Sequence, residues 1–111
     1  MKKLTGRAAE DFKGWLFSTR NEIIKVGVME YDLYYMFMYM LPETCQDVLI
    51  IEWFDSVGVC IEFQYWSNKK FASSIQNGNN RNINCGIYYE TRTEAINDGI
   101  KKANELYNLN N

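Results

Sequence analysis

Between residues 4 and 20, Leu4, Ala8, Phe12, Trp15, Leu16 and Thr19 recur three and four residues apart, while Glu10, Lys13 and Arg20 point away from them. That is the spacing of one helical face, and it predicts a helix over 4–20 that stops at Asn21. Ile23 to Met29 contains Val26, Gly27 and Val28, which weaken helix propensity and leave a turn or short extended piece. A second helix is expected over 30–41, ending at Pro42, which cannot continue it. Leu33, Met36, Phe37 and Met40 share one side of that helix, and Tyr34, Tyr35, Met38 and Tyr39 occupy the other. A helix greasy all round is either a core helix or a contact helix covered by a partner. Four of the five methionines fall between 29 and 40, and thioethers suit irregular cores and adaptable binding surfaces alike.

Further along, Val48 to Phe54 and Val59 to Trp66 are two β-rich runs flanking Asp55-Ser56-Val57-Gly58, and together they predict a β-hairpin. With Ser56, Val57 and Gly58 as the loop, Trp53 lies opposite Ile61, Ile51 opposite Phe63 and Leu49 opposite Tyr65, an apolar face for the core. The other face then carries Val48, Ile50, Glu52, Phe54, Cys60, Glu62, Gln64 and Trp66, with Glu52 across from Glu62. Slipping the register by one would bury Glu52 unpaired, at a cost of about several kcal/mol. Phe71, Ser73 and Ile75 alternate weakly as a third strand, and Ile83, Cys85, Ile87 and Tyr89 as a fourth, separated by a polar loop with an Asn77-Gly78 turn. Thr91 and Glu94 have the spacing of a capping box, and Ile96, Ile100, Ala103 and Tyr107 follow on one face of a last helix over 92–107, after which the Asn-rich tail frays. The expected fold class is α+β, in the order α-α-β-β-β-β-α. An antiparallel four-stranded meander sheet carries the N-terminal and C-terminal helices on one face, within a single domain over 1–111.

Composition narrows the functional classes. Apolar residues at 47% and charged ones at 23% are the balance of a folded chain, and 15% aromatics exceed what a core of this size needs, so some rings are expected on a covered surface. The net charge of −2 is unevenly spread: residues 1–21 carry five basic and two acidic groups, 22–66 one basic and eight acidic, and 67–111 six basic and four acidic. An acidic, aromatic middle is the opposite of a duplex-binding surface. Arg7, Glu10, Asp11 and Lys13 interrupt any apolar signal-peptide core, and Leu33 to Leu41 falls well short of a membrane span, so no membrane segment is expected. Cys45, Cys60 and Cys85 are odd in number and lack a Cys-x-x-Cys pair, which favours a reducing, cytoplasmic setting over a disulfide framework or zinc ribbon.

No histidine is present, which removes the commonest general base and metal ligand. No glycine-rich phosphate loop appears either. Facing carboxylates at Glu52 and Glu62 are the one arrangement suited to acid/base or metal chemistry, giving a small metal-dependent enzyme as an alternative. A helix-strand-strand-strand-helix order resembles double-stranded RNA-binding domains in topology alone, and with Lys101 and Lys102 nearly alone as a basic helix end, nucleic acid is the weaker alternative. No catalytic residue, cofactor or metal ligand is assigned.

The runs Leu41 to Gly58, Thr91 to Ala95 and Lys102 to Asn108 resemble small proteins carried by phages and mobile elements of gut bacteria, most specifically in Phe54-Asp55-Ser56-Val57-Gly58. The resemblance covers roughly the carboxy-terminal two thirds and implies a phage or mobile-element origin but no activity. The expected role is a non-enzymatic protein-protein interaction module. It would act through Ile50, Glu52, Phe54, Glu62, Gln64 and Trp66 on the outer sheet face, binding a second copy or binding, and so inhibiting, a basic, nucleic-acid-handling protein.

Overall fold

A computed structural model describes residues 3–20, 41–66, 70–77 and 82–111. Among them the order is α1 (Gly6–Arg20), α2 (Glu43–Ser56), β1 (Val59–Trp66), β2 (Lys70–Asn77), β3 (Asn82–Tyr89) and α3 (Arg92–Asn110). The helix expected over 30–41 and the turn before it lie outside the described residues.

The α+β mixture is present, but the four-stranded meander is corrected to an antiparallel sheet of three strands in the order β1-β2-β3. The strand expected over 48–54 is instead the second half of α2. Its buried residues are Gln46, Asp47, Ile50, Trp53 and Phe54, which recur at helical spacing. Pro42 precedes the helix with extended geometry, and its carbonyl accepts from the Cys45 and Gln46 N–H groups at 3.0 and 3.1 Å. The stop is at Gly58, whose φ of 85° is the left-handed conformation that ends helices just past their C-cap. There the Val57 N–H reaches the Trp53 and Phe54 carbonyls, and the Gly58 N–H donates to Asp55 at 3.2 Å. A glycine with positive φ serves a hairpin loop and a helix end equally well, and this one ends a helix and launches β1.

The hairpin therefore lies one element further on. β1 pairs with β2 in an unbroken register running from Val59 opposite Asn77 to Trp66 opposite Lys70, placing Ile61 across from Ile75 and Phe63 across from Ser73. β2 pairs with β3 through shifts between Phe71 and Ser73 and between Ser73 and Ser74. α3 begins at Thr91, whose hydroxyl oxygen accepts from the Glu94 N–H at 3.2 Å, and it runs to Asn110 rather than fraying.

Helix α3 lies across all three strands, α2 lies against β1, and α1 packs on α2 and α3. At Gly99 of α3 an added Cβ would stand 2.9 Å from Ile61 Cγ2, so the helix sits against β1 at a distance that leaves no room for a side chain there. The core joins Leu4, Ala8, Phe12 and Leu16 of the N-terminal segment to Ile50, Trp53 and Phe54, to Val59, Ile61 and Ile75, and to Ile100 and Ala103. Trp53 is its hub, with ring centroids 5.8 Å from Phe12, 4.7 Å from Phe54 and 5.0 Å from Tyr107.

Candidate interaction surface

Winding 43–56 as a helix sorts its residues onto two sides. Cys45, Val48, Glu52 and Asp55 recur at helical spacing along an exposed stripe, with exposed Leu41 just ahead of the helix. Val48 keeps 64% of its surface in solvent and is the most exposed large apolar residue of α2. Residues 41–66 hold five acidic side chains and no basic one. Lys3 reaches over from the N-terminal segment to the carboxylates of Glu43 and Asp47 at 2.8 and 2.5 Å. Glu52 and Asp55 are exposed on the stripe, and Glu62 sits half-buried on β1.

Asp55 carries the acidic character across to the strand through Cys60. Burial first, and then the Asp55 and Glu62 carboxylates, push the Cys60 thiol above its ordinary value. The thiol therefore stays protonated at neutral pH, the opposite of an activated nucleophile. On the sheet face turned away from α3, Cys60, Gln64 and Gln76 are exposed and Glu62 half-buried, while Ser74 and Ala72, paired with Glu62 and Gln64, are buried.

On the other face, alternation puts Phe63 and Tyr65 in line with buried Val59 and Ile61. The hairpin reading assigns both aromatics to the core. They are instead 36% and 60% exposed, although Phe63 still touches α3 at Gly99, where an added Cβ would stand 3.5 Å from Phe63 Cε1. Tyr65 packs edge-on to Phe71 with centroids 5.3 Å apart, and the Arg92 guanidinium lies 5.8 Å from the Phe71 ring centre. Tyr89 donates to Asp98, and Lys70 pairs with Glu90 nearby.

The six residues expected to share one outward face are divided by this arrangement. Ile50 and Phe54 retain 2% and 0% of their surface and belong to the core, since a helix turns both inward. Glu52 is on the exposed stripe of α2, whereas Glu62 and Gln64 are on the face of β1 turned away from α3. Trp66 ends β1, and its side chain lies outside the described residues. Glu52 and Glu62 do not face each other across a ladder, because Glu62 is paired in register with Ser74. The residues that pattern reading passed over are Asp55 on the stripe and Phe63 and Tyr65 as exposed rings, while Val48, expected on an outer strand face, is exposed on a helix instead. Pro42 with Glu43 at one end and Gly58 at the other is the signal that identifies the helix.

Among the described residues no group of three or more cysteine, aspartate or glutamate side chains is placed to hold a metal ion. Among the described residues Arg7 pairs with Asp11, Lys13 with Glu10, Lys70 with Glu90 and Lys102 with Glu105. No helix among the described residues is long and apolar enough to cross a membrane. Comparison of the chain with protein-family models, curated proteins and solved structures gives no match.

Proposed function

We propose that this chain is a non-enzymatic protein-binding module of phage or mobile-element origin, working in a reducing cytoplasm and capturing a basic partner through the outer stripe of α2. The observation that carries the reading is Val48, a large apolar side chain left in solvent mid-helix with Glu52 and Asp55 on the same stripe. An apolar centre with charged neighbours is the anatomy of a polar-rimmed contact patch. Acid at the rim speeds and selects a basic partner more than it tightens the complex. A nucleic-acid-handling protein, whose own binding surface is basic, is the partner class that fits, and covering that surface would inhibit it.

The test is titration of the full chain into a fluorescent amphipathic helical peptide with lysines flanking a leucine stripe. Saturable binding that weakens as salt rises is expected, and Val48→Lys combined with Glu52→Lys and Asp55→Lys should abolish it while leaving the melting temperature nearly unchanged. Absence of binding, or binding indifferent to the triple variant, removes the reading.

A further inference from the structure

The two outer strands of the sheet are finished differently. On the β3 side the ladder is broken by two register shifts. On the β1 side the strand is eight residues long, its register with β2 is unbroken, and it contains neither proline nor lysine. Among the described residues β1 pairs only with β2, and none of them forms a strand against its other edge. Long, regular strands without lysine, proline or a bulge lack the devices that keep sheet edges from pairing. Half-exposed Phe63 and more exposed Tyr65 lie on this same strand.

We propose that the β1 edge binds a second copy of itself, antiparallel and two-fold symmetric, with Phe63 on the axis. Antiparallel pairing brings together residues whose backbone groups point the same way, so the axis falls on a residue rather than between two. Axes at Glu62 and at Phe63 each use all but one residue of the strand. An axis at Glu62 sets that carboxylate directly against its own copy, which is destabilising. Moving it to Phe63 sets Glu62 opposite the amide of Gln64 twice over, once in each direction. It also sets Phe63 against Phe63 and Tyr65 against Ile61, so the exposed rings acquire apolar neighbours. The strand is thus self-complementary in one register and repulsive in the competing one. The pairing uses the backbone of β1, not the stripe of α2, and stands or falls separately from the binding of a basic partner.

Sedimentation equilibrium of the full chain over a wide concentration range tests it. A monomer–dimer equilibrium is expected. Gln64→Glu, which creates two like-charge pairs, should raise its Kd about tenfold, and Gln64→Lys, which creates two opposite-charge pairs, should lower it by a similar factor. Gln64 is exposed, so neither change should disturb the monomer. With the native cysteines replaced by serine, Phe63→Cys should oxidise to a linked dimer and Glu62→Cys should not. A chain that stays monomeric at its highest attainable concentration overturns the proposal. So does a dimer whose Kd ignores both Gln64 variants, or one linked through position 62 instead of 63. If the dimer behaves as expected while the basic peptide fails to bind, the α2 reading alone is lost.

Discussion

The seam where α1, α2 and α3 meet and the outward side formed by α2 and β1 are finished in opposite ways. In the seam, polar groups are satisfied by partners distant in sequence. Lys3 is buried and reaches Asp47, Glu43 and, at 2.7 Å, Asn97. The first turn of α1 is capped not by its own side chains but by α3: Asn104 accepts from the Thr5 N–H at 2.9 Å and Asn108 from the Ala8 N–H at 2.8 Å. Asn108 also donates to the Thr5 carbonyl. On the outward side, apolar Val48, Phe63 and Tyr65 remain in solvent. Polar side chains close the seam around an apolar core while a few apolar ones stay in solvent outside it, so exposure is set by position in the fold and not by greasiness of the run.

The largest expected effect separates the two sides of α2 directly. Phe54→Asp places an unpaired charge among Trp53, Phe12 and Ile50 and should cost about 4 kcal/mol or more, whereas Val48→Asp should change stability by no more than about 0.5 kcal/mol. Urea melts of both variants measure this. Equal losses would mean that Val48 is as enclosed as Phe54.

Next is the seam. Lys3→Met leaves Asp47 buried without its cation and should cost about 3 kcal/mol. Adding Asp47→Leu should recover most of that loss, because the penalty belongs to the stranded charge more than to the missing pair. A double variant no better than the single one would show that the lysine acts through other contacts, such as Asn97.

How much of this was legible follows from the same contrast. α1 and α3 are readable because their apolar residues keep a helical period and Thr91 with Glu94 marks a start. The strands at 70–77 and 82–89 are readable by alternation, apart from the shifts at Ser73. α2 is not, for a physical reason. Val48, Ile50 and Ile51 are β-branched, Trp53 and Phe54 favour strands, and a short apolar run fits both periods. Its diagnostic buried positions are Gln46 and Asp47, which look like surface residues until Lys3 and the Leu41 carbonyl, 2.9 Å from Gln46 Nε2, supply their partners. The candidate surface inherits that ambiguity: the acidic charge of the middle segment is visible in the sequence, but the side it faces depends on the helix.

A smaller effect concerns the contact between α3 and the sheet. Gly99→Ala gains helix propensity, yet its methyl would press on Ile61, so a net loss of about 1 kcal/mol is expected. Ile61→Val in the same chain should relieve part of it. If Gly99→Ala proves stabilising, α3 stands further from β1 than described.

The smallest effect is pH dependence at the seam's rim. Asp11 lies below its ordinary value because Tyr107 donates to its carboxylate at 2.5 Å, with Arg7 adding to the shift, and Glu43 is lowered by Lys3. A carboxylate lowered on folding lends stability that is complete above the unfolded value, near pH 4, and drains as pH falls through the folded value. Asp11→Asn should therefore lower stability at neutral pH and flatten its decline below pH ~4. An unchanged acid limb would show that this network contributes nothing.

The contrast between the two sides of α2 and the β1 pairing depend on 43–56 being helical, because that places Ile50 and Phe54 inside and Val48 and Asp55 outside, and keeps this segment off the β1 edge. Backbone NMR assignment tests it most directly. The account predicts helical Cα shifts from Glu43 to Ser56 with sequential amide contacts ending at Gly58, and cross-strand contacts from Ile61 to Ile75. Extended shifts over 48–54 with contacts from Trp53 to Ile61 would contradict it and restore the hairpin.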